Sequence, residues 1–283
     1  MAQYIFHADI SKFDPATTRY RGENALVLAD CAKLVYQPES EIREAMEVTW
    51  KFKNFKFFDG KSTQAFIAGN EAMIIIAFRG TEGKVEDIIA DAKVKLVKGP
   101  TGSVHHGFND ALQEVWGDKA VSDDMRSCIK KFQDKNQSIW FCGHSLGAAL
   151  ATLATAEYVI NDGGKVNGLY TIGQPRVGND EFAARIDNAL TDKYFRFVNN
   201  DDVVPRIPLP GLVFNYMHAG HVLYIDSNGN LHDSLPWWIQ AWDRLKGVSK
   251  DIGKVGLADL KDHNSGGYVA LIDKNRAVKT QWS

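Results

Sequence analysis

The stretch Ile139-Trp-Phe-Cys-Gly-His-Ser-Leu-Gly-Ala-Ala-Leu-Ala151 leaves this chain little freedom in how it folds. An apolar, β-prone run reaches Gly143-His144-Ser145-Leu146-Gly147 and passes without a spacer into a small-residue helix predicted to run through Ala156. That is strand, sharp turn, helix. A bare Gly-x-Ser-x-Gly recurs by chance and gains meaning from this context. A serine at the tip of such a turn takes a strained backbone conformation, and glycines two positions to either side leave room for it. It also stands at a helix N-terminus, where unpaired N–H groups and the helix dipole favour the negative charge of an acyl-transfer intermediate.

The rest of the chain supplies the sheet that such a turn needs. Apolar spacing predicts a helix over 23–36, closed by Pro38, and a shorter one over 40–48. The period then changes to two, giving strands over 50–58, 63–68 and 72–78 with Asp59-Gly60 and Gly69-Asn70 as turns. The run Met73-Ile-Ile-Ile-Ala-Phe78 is apolar on both faces and belongs in the middle of a sheet. Helices over 106–118, 123–135 and 180–190 alternate with strands over 166–172 and 194–199, and 221–225 is a further strand. This alternation predicts an α/β fold, with a central, mostly parallel sheet and helices on both faces. No repeat, low-complexity tract or linker divides residues 1–283, so a single domain is expected.

Two segments are candidates for covering a site. Over 82–100, Val85, Ile88, Ile89 and Ala92 recur at helical spacing opposite Glu82, Glu86, Asp87 and Asp91, with Gly83 before and Gly99-Pro100 and Gly102 after as hinge candidates. It reads either as a fixed surface helix or as a short helical lid over a cleft. Over 235–248, Trp237, Trp238, Ile239, Trp242, Leu245 and Val248 form an aromatic stripe, which reads as core packing or as an acyl-binding wall.

Composition narrows the partners. A net charge of −2 leaves no basic footprint for nucleic acid, and no apolar run is long enough to span a membrane. Small or neutral partners are therefore expected. Cys31, Cys128 and Cys142 cannot all pair and are expected to be buried small hydrophobes, which fits a reducing compartment. The N-terminus lacks a basic start and a sustained apolar run, so no signal peptide is expected. His105 and His106 are neighbours without further ligands, so they are expected to be structural, and no metal or cofactor is implied.

A serine nucleophile needs a base, and the base needs a third group to fix its tautomer. Where the serine sits on an elbow of this kind, the partners follow in the order serine, acid, histidine. That leaves His218, His221, His232 and His263. His218 and His221 flank a strand start and tend to opposite sides, and His232 falls in a polar turn. His263, near the end of the chain, is free to reach the site and is preferred. His144 lies on the strand side of the elbow and is expected to be a packed strand residue. Asp201 and Asp202, beyond the strand ending at Asn199, are hardly separable by position.

The stretches Phe78-Arg-Gly-Thr81, His105-His-Gly-Phe108, Gly143-His-Ser-Leu-Gly147, Gly173-Gln-Pro-Arg-Val-Gly178, Asp202-Val-Val-Pro-Arg206 and Asp262-His263 with Tyr268 occur in one order over roughly residues 20 to 270. In these the chain resembles the class 3 lipase family, the α/β-hydrolases typified by filamentous-fungal triacylglycerol lipases. The resemblance selects Asp202 over Asp201, agrees with His263, and implies an oxyanion hole from the N–H groups of Thr81 and Leu146. The chain departs from the family in lacking the fungal disulfides and in the sequence of 82–100. The resemblance implies a serine ester hydrolase acting on acylglycerols, with a lipid or small-molecule ester as substrate and a lipid–water interface as its setting. Val85, Ile88, Ile89, Trp237 and Trp238 are candidate substrate contacts. A phospholipase A1 or an esterase for short or feruloyl esters is the rival within the same chemistry. A lipase-like binding protein without turnover is the rival of another class. The family suggests an extracellular location, whereas the N-terminus and the cysteines leave a cytoplasmic one open.

Overall fold

The computed structural model describes residues 4–80, 95–99, 101–117, 124–200, 202–208, 215–235 and 263–283. Strands β1 (Asn54–Asp59), β2 (Gln64–Gly69) and β3 (Met73–Phe78) form an antiparallel meander at one side of an eight-stranded sheet. From β3 the sheet continues in parallel through β6 (Ser138–His144), β7 (Gly168–Ile172), β9 (Tyr194–Asn199) and β11 (His221–Ile225). The antiparallel β12 (Leu231–His232) closes the edge. A smaller antiparallel sheet joins β4 (Leu96–Gly99), β5 (Gly102–His105), β8 (Gly178–Asn179) and β10 (Tyr216–Met217).

The strand period of two explains the layers. Ile139 and Phe141 of β6, with Ile74 and Ile76 of β3, face one core, which is filled by α3 (His106–Trp116), α4 (Met125–Phe132), α5 (Leu146–Ala156) and α6 (Asp180–Leu190). Trp140 and Cys142, with Ile75 and Ala77, face the other, under α1 (Gly22–Leu34) and α7 (Ser265–Asn275). All seven residues of β6 are buried, as a strand covered on both faces must be. All three cysteines are buried and free, Cys31 and Cys128 in helices and Cys142 in β6.

The predicted spans 180–190, 194–199 and 221–225 coincide with observed elements. The predicted strand over 50–58 is corrected to Asn54–Asp59, because Lys51 adopts a left-handed φ of 58° and Trp50 and Phe52 turn into the core. The helix predicted over 40–48 is α2 (Glu39–Arg43) followed by a π-helical turn, Glu44–Thr49. A larger correction concerns 82–100. Its last residues, Leu96–Gly99, are not helical but pair with Gly102–His105, Val97 opposite Val104. Gly99 and Gly102, read as hinges, face each other at the closed end of this hairpin, where Gly102 takes a φ of 124°. Residues 82–94, the core of the candidate lid, lie outside the described residues, as does 236–250 with the tryptophan stripe. His105 caps α3, its Nδ1 accepting from the Phe108 N–H at 3.3 Å, and His106 pairs with Asp110 across one helical turn.

Candidate active site

The parallel strands deliver three residues to one end of the sheet, beyond their C-termini, where open α/β sheets gather their chemistry. Ser145 follows β6, Gly173 follows β7, and Asp202 lies just past β9. Ser145 has φ 59° and ψ −128°, a conformation that residues other than glycine rarely hold and that the flanking elements must impose. Its N–H donates to the Ile172 carbonyl at 2.9 Å, so the β6–β7 ladder extends to the elbow itself. The glycines around it are steric necessities. A Cβ on Gly143 would run into the Gly147 backbone, and one on Gly147 into the backbone of Phe78 and Arg79.

Asp202 is fully buried and its charge is well supplied with donors. Oδ2 accepts from His263 Nδ1 at 2.9 Å and from the Tyr268 hydroxyl at 2.6 Å, while Oδ1 accepts from the Val204 N–H at 2.9 Å. Burial alone would raise its pKa. The hydrogen bond and charge of His263, with the Tyr268 and Val204 donors, outweigh that and hold the carboxyl below the usual aspartate range. An ionised carboxylate only accepts, so His263 carries hydrogen on Nδ1, and in the neutral ring the lone pair is the one at Nε2. Ser145 Oγ and His263 Nε2 are both buried and have no hydrogen-bond partner among the described residues. They are the two atoms between which a proton would pass. Catalytic hydrogen bonds are often long or poorly aligned before substrate binds and tighten in the complex.

His263 stands two residues before α7, whose start is fixed by Asn264 Oδ1 accepting from the N–H groups of Gly266 and Gly267 at 2.8 and 3.2 Å. The same helix carries Tyr268, whose hydroxyl also accepts from the Asn199 N–H at 2.8 Å and so ties Asp202 to the end of β9. Gly173, at φ 57°, lies against the pair: a Cβ there would stand 2.9 Å from Asp202 Oδ2 and from His263 Nδ1. Tyr268→Phe removes one of two donors to Oδ2, and hydrogen bonds to charged groups contribute about 1.5–3 kcal/mol. A fall in kcat of about tenfold with little change in KM is expected for a reaction that relies on this pair; steady-state kinetics on a soluble ester check it.

The other histidines lie elsewhere. His218 Nε2 donates to the Pro205 carbonyl at 2.6 Å, His221 pairs with Asp192, and His232 pairs with Asp226. His144 is, as expected, a packed strand residue at the end of β6, and both of its ring nitrogens have long-range partners. It is buried, with Nε2 at 2.6 Å from the His263 carbonyl and Nδ1 at 3.0 Å from the Tyr36 hydroxyl. Its pKa is pushed down to about 3, by burial first and by the neighbouring His263 second. The unfolded chain protonates this residue near 6.5, so between pH 6.5 and 3 it binds a proton that the fold refuses. Stability therefore falls on acidification below pH 6.5, by about 1.4 kcal/mol per pH unit for each such proton. Urea midpoints at pH 7 and 5.5 should show this loss, and His144→Gln should reduce it; an equal loss in both proteins would contradict it.

Leu146 is half-buried and opens α5, so its N–H has no acceptor within the helix and is directed out of the N-terminus beside Ser145. Thr81, Val85, Ile88, Ile89, Trp237 and Trp238 lie outside the described residues. Among the described residues no group of three His, Cys, Asp or Glu side chains could hold a metal ion, and no helix is long and apolar enough to cross a membrane. Sequence reading misses the roles of Tyr36, His144, Gly173 and Tyr268 in this arrangement. Gly173 and Tyr268 do stand within the stretches that carry the family resemblance, but with no role attached. Only the Asn264 cap and the spacing of Tyr268, Val269 and Ile272 signal the helix that carries Tyr268.

Fold and site together define an α/β-hydrolase with a serine on its elbow and a buried histidine–aspartate pair beside it. Residues 75–211 match the family model described as Lipase (class 3). Over these residues the chain is similar to the class 3 lipases. An Arabidopsis thaliana protein named Triacylglycerol lipase OBL1 is 29% identical over 247 residues, covering 69% of this chain and 48% of that protein. The Secreted mono- and diacylglycerol lipase 1 of Fusarium solani is 35% identical over 162 residues, covering 56% of this chain and 45% of that protein. The chain thus spans about half the length of the curated relatives it matches. The solved Rhizomucor miehei lipase propeptide complex superposes with a TM-score of 0.56 at 28% identity, covering 72% of this chain and 68% of that one.

Proposed function

We propose that this chain is a serine carboxylic-ester hydrolase that cleaves acylglycerols through an acyl-enzyme. The observation that carries the reading is the pairing of His263 Nδ1 with buried Asp202 at 2.9 Å, which leaves Nε2 as a base beside the elbow that presents Ser145. In this reading Nε2 takes the Ser145 proton as Oγ bonds to the ester carbonyl carbon. The carbonyl oxygen becomes an oxyanion facing the N–H groups of Leu146 and Thr81. Collapse breaks the bond to the alcohol oxygen, which leaves with the proton from His263. Water, deprotonated by the same nitrogen, then releases the acid and frees Ser145. Asp202 keeps the tautomer and stabilises the imidazolium.

The names of the relatives, lipases of tri-, di- and monoacylglycerols, support a long-chain lipid substrate. Val85, Ile88, Ile89, Trp237 and Trp238 are proposed to line the acyl path, with 82–94 as its cover at a lipid–water interface. A series of p-nitrophenyl esters from acetate to palmitate, read with triglyceride and phospholipid emulsions, tests the substrate class. Rates should rise with chain length and jump above the solubility limit on acylglycerols. Preference for acetate without a jump, or for phospholipid, would defeat it.

A further inference from the structure

We propose that His144 is a positioning residue that links the serine elbow to the base, with the His263 carbonyl fixing its tautomer and Tyr36 holding its other ring nitrogen; the proposal rests on the functional reading above. Its geometry leaves one assignment of protons. The His263 carbonyl can only accept, so His144 Nε2 carries hydrogen and donates to it at 2.6 Å. Nδ1 of His144 is then a lone pair, and the Tyr36 hydroxyl donates to it at 3.0 Å. At the far end the Asp202 carboxylate accepts from His263 Nδ1–H and from Tyr268. Tyr36 and His144 thus form one run of hydrogen bonds that ends on the His263 main chain, and a second runs from the His263 ring to Asp202; the two meet in His263, one direction fixed by a carbonyl and the other by a carboxylate.

Position in the backbone makes this useful. His144 is the residue before Ser145 and the last of β6, while His263 stands at the head of α7, on a different part of the chain. Asp202 fixes which way the His263 ring turns about Nδ1. His144 fixes where the His263 main chain stands relative to the elbow. The two imidazoles lie 4.6 Å apart, centroid to centroid, inclined by 32°. The low pKa of His144 suits this role, since His263 becomes a cation in each half-reaction and a second cation this close would oppose it. Tyr36 is held in turn by the Arg79 guanidinium over its ring at 5.5 Å. A Cβ on Gly80 would strike the Tyr36 hydroxyl, so the segment leading to Thr81 packs directly on the first run of bonds.

The test compares the full chain with His144→Leu, His144→Gln and Tyr36→Phe on a soluble p-nitrophenyl ester, each checked for folding by near-UV circular dichroism. Loss of the Nε2 donor should lower kcat by about 100-fold with KM changed little, the size expected for a misplaced catalytic group. His144→Gln keeps an N–H donor at a similar reach and should recover activity to within about fivefold of the natural chain. Tyr36→Phe, which leaves packing intact, should lower kcat by about fivefold to tenfold. A folded His144→Leu with near-normal kcat would overturn the proposal, as would a His144→Gln no better than His144→Leu. Should the leucine variant fail to fold, an unchanged kcat in Tyr36→Phe does the same. Imidazole nitrogen NMR supplies a reading that needs no turnover: His144 should be neutral at pH 7 with hydrogen on Nε2, and hydrogen on Nδ1 refutes the assignment. Absence of turnover in the natural chain, with the expected tautomer present, would count against the hydrolase reading and leave the hydrogen-bond assignment standing.

Discussion

Ser145→Ala should abolish ester hydrolysis and, at the same time, leave the fold as stable as before or slightly more so. The first effect follows from removing the nucleophile: in comparable serine sites the loss in kcat is on the order of 10⁴-fold or more. The second follows from the surroundings of Oγ. The hydroxyl is buried, in a residue only 2% exposed, and has no hydrogen-bond partner among the described residues. Burying an unpaired hydroxyl costs about 1–3 kcal/mol by protein measurements, and alanine removes that cost while keeping the same positive-φ backbone. A gain in stability of up to about 1 kcal/mol is expected by urea denaturation, the sign typical of a residue kept for activity at the expense of the fold. A serine with a structural role would give the reverse, full turnover with lowered stability.

Asp202→Asn should lower kcat by about 10³-fold to 10⁴-fold at neutral pH while KM changes little. The amide places one NH2 group where the carboxylate had only acceptors. With the NH2 at the Oδ2 position, it meets two donors, His263 Nδ1–H and the Tyr268 hydroxyl. His263 must then turn its lone pair toward the amide NH2 and carry its proton on Nε2, so it is no longer a base. With the NH2 at the Oδ1 position, it opposes the Val204 N–H in a fully buried site, and the imidazolium has lost its countercharge. Both arrangements fail, for different reasons. Steady-state kinetics and imidazole NMR on the same sample separate them. An asparagine variant that turns over at about a tenth of the natural rate or faster would mean that the carboxylate is not part of the chemistry, since a wrong tautomer alone costs far more.

What the sequence carries about this site is what local patterning can carry. Strand, turn and helix around Ser145 are legible because Gly143 and Gly147 mark backbone contacts that no side chain permits, and because the run from Ile139 is apolar on both faces. The preference for His263 rests on chain order and on its place in a late loop. Asp202 is separable from Asp201 only through family resemblance, since adjacent carboxylates share one local pattern. The role of His144 is invisible because its partners, Tyr36 and the His263 carbonyl, lie 108 and 119 residues away, and no local period reports a contact of that range. The β4–β5 hairpin is hidden by the helical spacing that runs from Val85 to Ala92 and does not extend beyond it. Helix α7 is hidden by Gly266 and Gly267 in its first turn, where the Asn264 cap offsets their poor helix propensity.

The most direct measurement of the central claim is the intact mass and peptide map of the chain after reaction with a long-chain fluorophosphonate. One adduct per chain, on Ser145, lost in Ser145→Ala and slowed strongly in Asp202→Asn, is the expected result. No adduct on a folded chain that withstands the probe for hours, or an adduct on another residue, would contradict it.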